Sequence, residues 1–180
     1  METIDFNLNN APQVGDVIFF RTKFSLWSPM SWLSALIRFF ARIKYNHVGI
    51  IAYDDVTGEL CVFEAVAKGI TSTSFEKRIE NRQVIVRRPR PYIKKDDAYY
   101  FDLCNKYKGY KYDKAGLLWE QLILQLTGKW VGTTNKEKAM RKFYCYEFAA
   151  FVSGEQDWLK INPKTFLTST DYRTIFTKLS

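Results

Sequence analysis

The stretch His47-Val48-Gly49-Ile50-Ile51-Ala52-Tyr53, followed by Asp54-Asp55-Val56-Thr57-Gly58 and then Leu60-Cys61-Val62-Phe63-Glu64-Ala65-Val66, decides the fold. Two seven-residue runs rich in Val and Ile flank a cluster of Asp, Thr and Gly, which is the pattern of two antiparallel strands and their turn. Alternate residues of a strand share a face, so His47, Gly49, Ile51 and Tyr53 point one way on the first run. Leu60, Val62, Glu64 and Val66 share a face on the second. A loop of two or four residues centred between Asp55 and Val56 sets His47 directly opposite Glu64, with Cβ atoms roughly 5 Å apart. A five-residue loop puts them on opposite faces, because a one-residue slip flips every side chain.

A carboxylate beside an imidazole fixes its tautomer and stabilises its protonated form. For covalent catalysis such a pair needs a nucleophile, and Cys145 is the best placed of the three cysteines. It stands where Lys142-Phe143-Tyr144 turns into the apolar run Cys145-Tyr146-Glu147-Phe148-Ala149-Ala150-Phe151-Val152-Ser153, read as a compact helix. A helix N-terminus favours a thiolate through its dipole, and its free N–H groups can receive an oxyanion. Cys61 falls on the strand face opposite Glu64 and reads as core. Cys104 falls mid-helix with neither a cap nor a base near it in sequence. A packed histidine and a small buried cysteine are the plain alternative to this triad.

Outward from the hairpin, Gly15-Asp16 before Val17-Ile18-Phe19-Phe20 reads as a turn entering a short buried strand. Ser28-Pro29 opens a helix over Met30 to Ile43 in which Ser34, Arg38 and Arg42 form a narrow polar stripe. Val84-Ile85-Val86 is a third strand candidate, expected to stop at Arg87-Arg88-Pro89-Arg90-Pro91. Asp96 to Lys106 and Ala115 to Leu126 have helical spacing, and Thr127 to Asn135 reads as a Gly/Thr-rich loop. Strands and helices mixed in this way, without repeats or linker-like shifts of composition, predict one α+β domain spanning 1–180.

The 180 residues are 47% apolar and 26% charged, the balance of a globule with a sizeable core. Aromatics at 17% exclude a disordered chain. A single histidine removes every zinc signature that needs two, and no C-x-x-C occurs, so neither a metal nor a cofactor is expected. Three cysteines set 43 and 41 residues apart make no disulfide framework. The opening Met1-Glu2-Thr3-Ile4-Asp5 has no basic segment before an apolar one, so a cytoplasmic setting is the expectation. Met30 to Ile43 is too short and too charged to span a bilayer. The net charge of +8 favours acidic partners such as an anionic membrane or polymer surface. Nucleic acid is not expected, because the basic runs at Arg87-Arg88-Pro89-Arg90 and Lys94-Lys95 come without base-stacking motifs.

Gly15-Asp16-Val17-Ile18-Phe19-Phe20 with Asn46-His47-Val48-Gly49-Ile50 resembles the pattern of the NlpC-type cell-wall peptidases, which are papain-like cysteine hydrolases. In those the cysteine precedes the histidine; here Cys145 follows His47 by 98 residues. That order is similar to the circularly permuted, YiiX/YebB-like branch. Val62-Phe63-Glu64-Ala65, Gly109-Tyr110-Lys111-Tyr112-Asp113, Tyr144-Cys145-Tyr146-Glu147 and Ile161-Asn162-Pro163 match further motifs of the branch in order, from about Gly15 to Pro163. The resemblance implies a permuted papain-like fold, with a small antiparallel sheet packed against helices. It implies Cys145 as nucleophile, His47 as base and Glu64 as orienting acid, with Tyr112, Tyr144 and Tyr146 as substrate-binding candidates. Tyr146 departs from the family, which commonly has serine there.

The activity so implied is hydrolysis of an amide, first of all a peptide such as a cell-wall stem, through a thioester. Two other readings stay open: an acyltransferase or lipid hydrolase at an anionic membrane, suggested by the Met30–Ile43 helix and the charge, and a non-catalytic binding module on the same fold.

Overall fold

β-Branched and aromatic runs become strands wherever a neighbour covers their faces, and here they build a six-stranded antiparallel sheet. The structure is a computed structural model that describes residues 11–21, 43–114 and 116–178. The strands are β1 (Val17–Arg21), β2 (His47–Tyr53), β3 (Leu60–Val66), β4 (Gly69–Ser74), β5 (Gln83–Pro89) and β8 (Tyr172–Lys178), ordered β4-β3-β2-β1-β5-β8. A two-residue parallel pair, β6 (Lys111–Tyr112) with β7 (Lys142–Phe143), stands apart. The helices are α1 (Phe75–Ile79), α2 (Asp97–Tyr107), α3 (Leu122–Thr127, continuing a π-turn over Gly116–Gln121), α4 (Lys136–Ala139), α5 (Cys145–Val152) and α6 (Pro163–Thr168). The mixed α+β class expected from the sequence is what the chain adopts. Among the described residues no helix is long and apolar enough to cross a membrane.

The sheet is covered on both faces, so its central strands are buried almost end to end. On one side Val17, Phe19, Val48, Ile50 and Phe63 pack with Tyr100 and Cys104 of α2 and with Phe148, Ala149 and Val152 of α5. On the other, Ile18, Phe20, Ile51 and Val62 pack with Phe75 and Ile79 of α1 and with Val84 and Val86. Each fully buried Phe or Ile contributes about 1.5–3 kcal/mol, so both layers matter to stability. The three cysteines are free and buried.

Two expectations are corrected. Ile50 pairs with Phe63 and Tyr53 with Leu60, so the β2–β3 connection has six residues, 54–59, and the register lies two residues beyond the expected one. Asp54 lengthens the loop: its carboxylate accepts N–H bonds from Val56 and Thr57 and an ion pair from Lys108 at 2.6 Å. A shift of two keeps every side chain on its expected face. The third strand does not stop at Val86 but runs through Arg87, Arg88 and Pro89, paired with β8 across a bulge. Its arginines are tolerated because each finds partners. Arg88 binds Asp16 through two hydrogen bonds of 2.8 and 2.9 Å, and Arg87 donates to the carbonyls of Leu167, Ser169 and Tyr172. The helix read over Met30 to Ile43 lies outside the described residues except for Ile43, which is buried in irregular structure.

Candidate active site

The imidazole comes from the first residue of β2. His47 pairs across the ladder with Phe20 of β1, the two rings 5.8 Å apart. Its place at the strand's end puts the ring at the rim of the sheet, within reach of groups on both faces. Nε2 lies 2.5 Å from Glu64 Oε2 on β3. In the observed register the two residues are diagonal neighbours on one face rather than direct partners, still within reach of long side chains. Gly49 makes the diagonal workable. A Cβ there would fall 2.7 Å from Val62 Cγ1, 2.9 Å from the Phe63 carbonyl and 3.4 Å from Glu64 Cβ. Its absence leaves the space between the two side chains open.

Glu64 is held from behind by Arg78 of α1, Nε to Oε1 at 2.5 Å and Nη2 to Oε2 at 2.6 Å. The guanidinium also stacks over Phe20, 4.3 Å from the ring centre, and is itself buried. Burial opposes the Glu64 charge, but His47 and Arg78 outweigh it and hold the carboxyl down at about 2. Sequence reasoning missed Arg78. The available signal was its spacing: Phe75, Arg78 and Ile79 recur at i, i+3 and i+4, so the arginine shares the inward face of a short helix.

The thiol comes from the first residue of α5. Cys145 follows Tyr144, whose extended backbone starts the helix, while Glu147 three residues on accepts the Tyr144 N–H at 3.3 Å. The Cys145 thiol lies close enough to the His47 imidazole to raise its pKa, the largest effect after burial. Nε2 is engaged by Glu64, which leaves Nδ1 as the ring nitrogen available to a sulfur. Burial disfavours the charged imidazole, yet Cys145 and Glu64 together raise His47 to about 9. The first N–H groups of a helix lack partners within it, so the Cys145 amide is free to meet an oxyanion beside the sulfur. The structure thus brings Cys145, His47 and Glu64 into one chain of contacts.

The three tyrosines are placed differently. Tyr112, at the end of β6, is half-buried; burial raises its hydroxyl pKa strongly, with Cys145, Asp113 and Glu147 adding to the effect. Tyr144 and Tyr146 are buried in the core. The Tyr146 hydroxyl donates to the Tyr45 carbonyl at 3.0 Å, tying the residue after Cys145 to the chain just before His47. Beyond Tyr112, a cavity of about 440 Å³ is lined by Asp113, Glu120, Glu147, Lys138 and Lys142 among others. Burial pushes Glu147 up to about 9, aided by Asp113 and Glu120 and opposed by the Tyr144 N–H and Lys142. Asp113 accepts from Lys142 Nζ and from the Gly116 N–H, both at 2.8 Å, and so locks the β6–β7 pair that carries Tyr112.

No family model matches the sequence, and no curated protein matches it. Among solved structures the chain is similar to the crystal structure of the metalloprotein yiiX from Escherichia coli O157:H7, at 18% identity and a TM-score of 0.55, covering 94% of this chain and 99% of that one. The likeness establishes a YiiX-like fold. The neighbour is described as a metalloprotein, but the donors among the described residues here do not fit a metal centre. Among the described residues no three His, Cys, Asp or Glu side chains are grouped to hold an ion, and both Glu64 oxygens are engaged by Arg78 and His47.

Proposed function

We propose that this chain is a cysteine hydrolase of the circularly permuted papain-like type, cleaving an amide, foremost a peptide bond, through a thioester. The observation that carries the reading is the single imidazole hydrogen-bonded to Glu64 at 2.5 Å and raised in pKa by the neighbouring Cys145 thiol. In the reactive form the sulfur is a thiolate and His47 an imidazolium, stabilised by Glu64. The thiolate attacks the carbonyl carbon, a C–S bond forms, and the oxyanion meets the Cys145 amide. Collapse breaks the C–N bond as imidazolium gives its proton to the leaving nitrogen. Water then attacks the thioester, His47 takes its proton, and the C–S bond breaks to release the acid. Glu64 holds the ring throughout, and Arg78 holds Glu64.

The test is alkylation of the full chain with iodoacetamide, mapped by peptide. Cys145 is expected to react through its imidazole partner, while Cys61 and Cys104, buried like it but raised by desolvation, do not. His47→Ala is expected to slow Cys145 labelling at pH 7 at least tenfold, and Cys145→Ala to abolish turnover of peptide amides. An unchanged labelling rate in His47→Ala refutes the thiolate–imidazolium pair.

A second reading, acyl transfer or lipid hydrolysis at an anionic membrane, is favoured by a different observation. Trp119, Leu126 and Val131 stand 63, 53 and 55% exposed along a segment that also carries Lys114 and Lys129. Apolar residues interspersed with cations suit a headgroup layer. Co-sedimentation with phosphatidylglycerol vesicles, lost in Trp119→Ala, supports it; no sedimentation at low salt removes it.

A further inference from the structure

We infer that the cleft between the 89–97 connection and β8 is a binding site for a phosphate-bearing ligand, separate from the Cys145–His47 site. The cleft has a volume of about 730 Å³, within the range of small-molecule sites of roughly 300–1,000 Å³. Five cations line it, Arg88, Arg90, Lys94, Lys95 and Arg173, against two carboxylates, Asp96 and Asp97.

Assigning each charge to its partner leaves an excess. Arg88 is neutralised by Asp16, and its Nη2 also donates to the Ala11 carbonyl at 2.7 Å. Lys94 is 3.6 Å from Asp97. Asp96 accepts the Tyr99 N–H at 2.7 Å as the cap of α2. Arg90 is anchored by Nε on the Thr170 carbonyl at 2.8 Å, which leaves its terminal nitrogens. Lys95 donates its backbone N–H to the Tyr100 hydroxyl and Arg173 is held in the β5–β8 ladder, but neither side chain has a hydrogen bond or ion pair with any described residue. Among the described residues, three cations from different parts of the chain therefore face one concavity against a single remaining carboxylate, the cap Asp96.

The ladder sharpens the point. Arg173 is the direct cross-strand partner of Arg88. Like charges set opposite one another are destabilising, and Asp16 neutralises only one of the two. The walls are already in place: the Arg90 N–H is held by the Asp171 carbonyl at 2.8 Å, the Ile93 and Lys94 amides by the Arg90 carbonyl at 3.0 Å each, and Tyr92 by Asp171 at 2.7 Å. Binding there needs little ordering of backbone. Two guanidinium groups and an ammonium suit a phosphate, whose doubly charged form offers three acceptor oxygens to forked donors. Along β1 the cleft lies beyond Val17, the partner of Arg87, whereas His47 faces Phe20, three residues and roughly 10 Å away. The reacting atoms are not part of it.

The experiment is calorimetric titration of the full chain with inorganic tripolyphosphate at constant ionic strength, sodium chloride serving as the matched control. Saturable binding is expected, weakened at least tenfold in the Lys95→Glu/Arg173→Glu double variant and unchanged in Cys145→Ala. Both substituted side chains lie on the surface, and an unaltered thermal midpoint without ligand shows that the variant is folded. The milder Lys95→Gln/Arg173→Gln pair, expected to weaken binding several-fold, repeats the test if charge reversal impairs folding. Vesicles of phosphatidylglycerol in phosphatidylcholine identify the source. Vesicle binding lost in the double variant places the phosphate on a lipid headgroup, and tripolyphosphate binding without vesicle binding places it on a soluble molecule. No saturable binding beyond the salt control, or equal affinity in the double variant, overturns the site. Because Cys145→Ala leaves this readout intact, its failure is separable from failure of the hydrolase reading.

Discussion

Replacing Arg78 with methionine tests the buried half of the site. Arg78 grips both oxygens of Glu64, a side chain only 4% exposed. The Glu64 carboxyl titrates near 2 in the folded protein against an ordinary 4.5, and that gap is worth about 3 kcal/mol of stability at neutral pH. The stabilisation is fully present above the unfolded value and fades as pH falls through the folded one. At pH 3 only about 1–1.5 kcal/mol of it remains. His47 contributes to the gap as well, but removing Arg78 also strands a buried carboxylate on one partner, and breaking a buried pair costs about 3–5 kcal/mol. Urea unfolding of Arg78→Met should therefore show a loss of about 3 kcal/mol at pH 7 that shrinks by at least half at pH 3. Glu64→Gln/Arg78→Met, which removes both charges, should be less destabilised than Arg78→Met alone. An equal loss at pH 3 and pH 7 would sink the electrostatic account and leave packing over Phe20 as what Arg78 supplies.

Three more outcomes follow from the geometry. The rate of Cys145 alkylation should rise with pH and then lose its His47 dependence as the imidazolium deprotonates near 9; the stability that His47 draws from its partners is complete below about 6.5 and is lost through the same limb. A wild-type profile that superimposes on His47→Ala at every pH contradicts this. Gly49→Ala should cost about 1–3 kcal/mol, since its Cβ meets Val62 and the Phe63 carbonyl at under 3 Å, and should slow alkylation by shifting Glu64. Wild-type stability in that variant would show the space is not needed. Tyr146→Phe should lose about 1 kcal/mol, measured by urea unfolding, because it leaves the Tyr45 carbonyl without its donor. No loss would mean that water replaces the hydroxyl.

Much of the site's direction was legible in the chain itself. Period-two patterning put His47 and Glu64 on a common face, and that survived a two-residue error in register because a shift of two restores the face. The cap position of Cys145 was readable from the loop ahead of an apolar run. The run reads as ending at Val86 because arginines signal a surface, and only folding shows that Asp16 and four carbonyls await Arg87 and Arg88. The strand β4, the helix α1 and the closing strand β8 carry weak local patterns and exist because the sheet offers them an edge or a face to cover.

Sequence alone determined the class of the fold, the hairpin's faces and the residue types able to do thiol chemistry, since these follow from periodicity and composition within a few residues. Tertiary structure alone decided that a sulfur and an imidazole 98 residues apart meet, that Arg78 backs the carboxylate, and that three cations gather in one cleft. Those outcomes depend on contacts between distant segments, whose free energy is set by burial and charge neutralisation that no local stretch of chain contains.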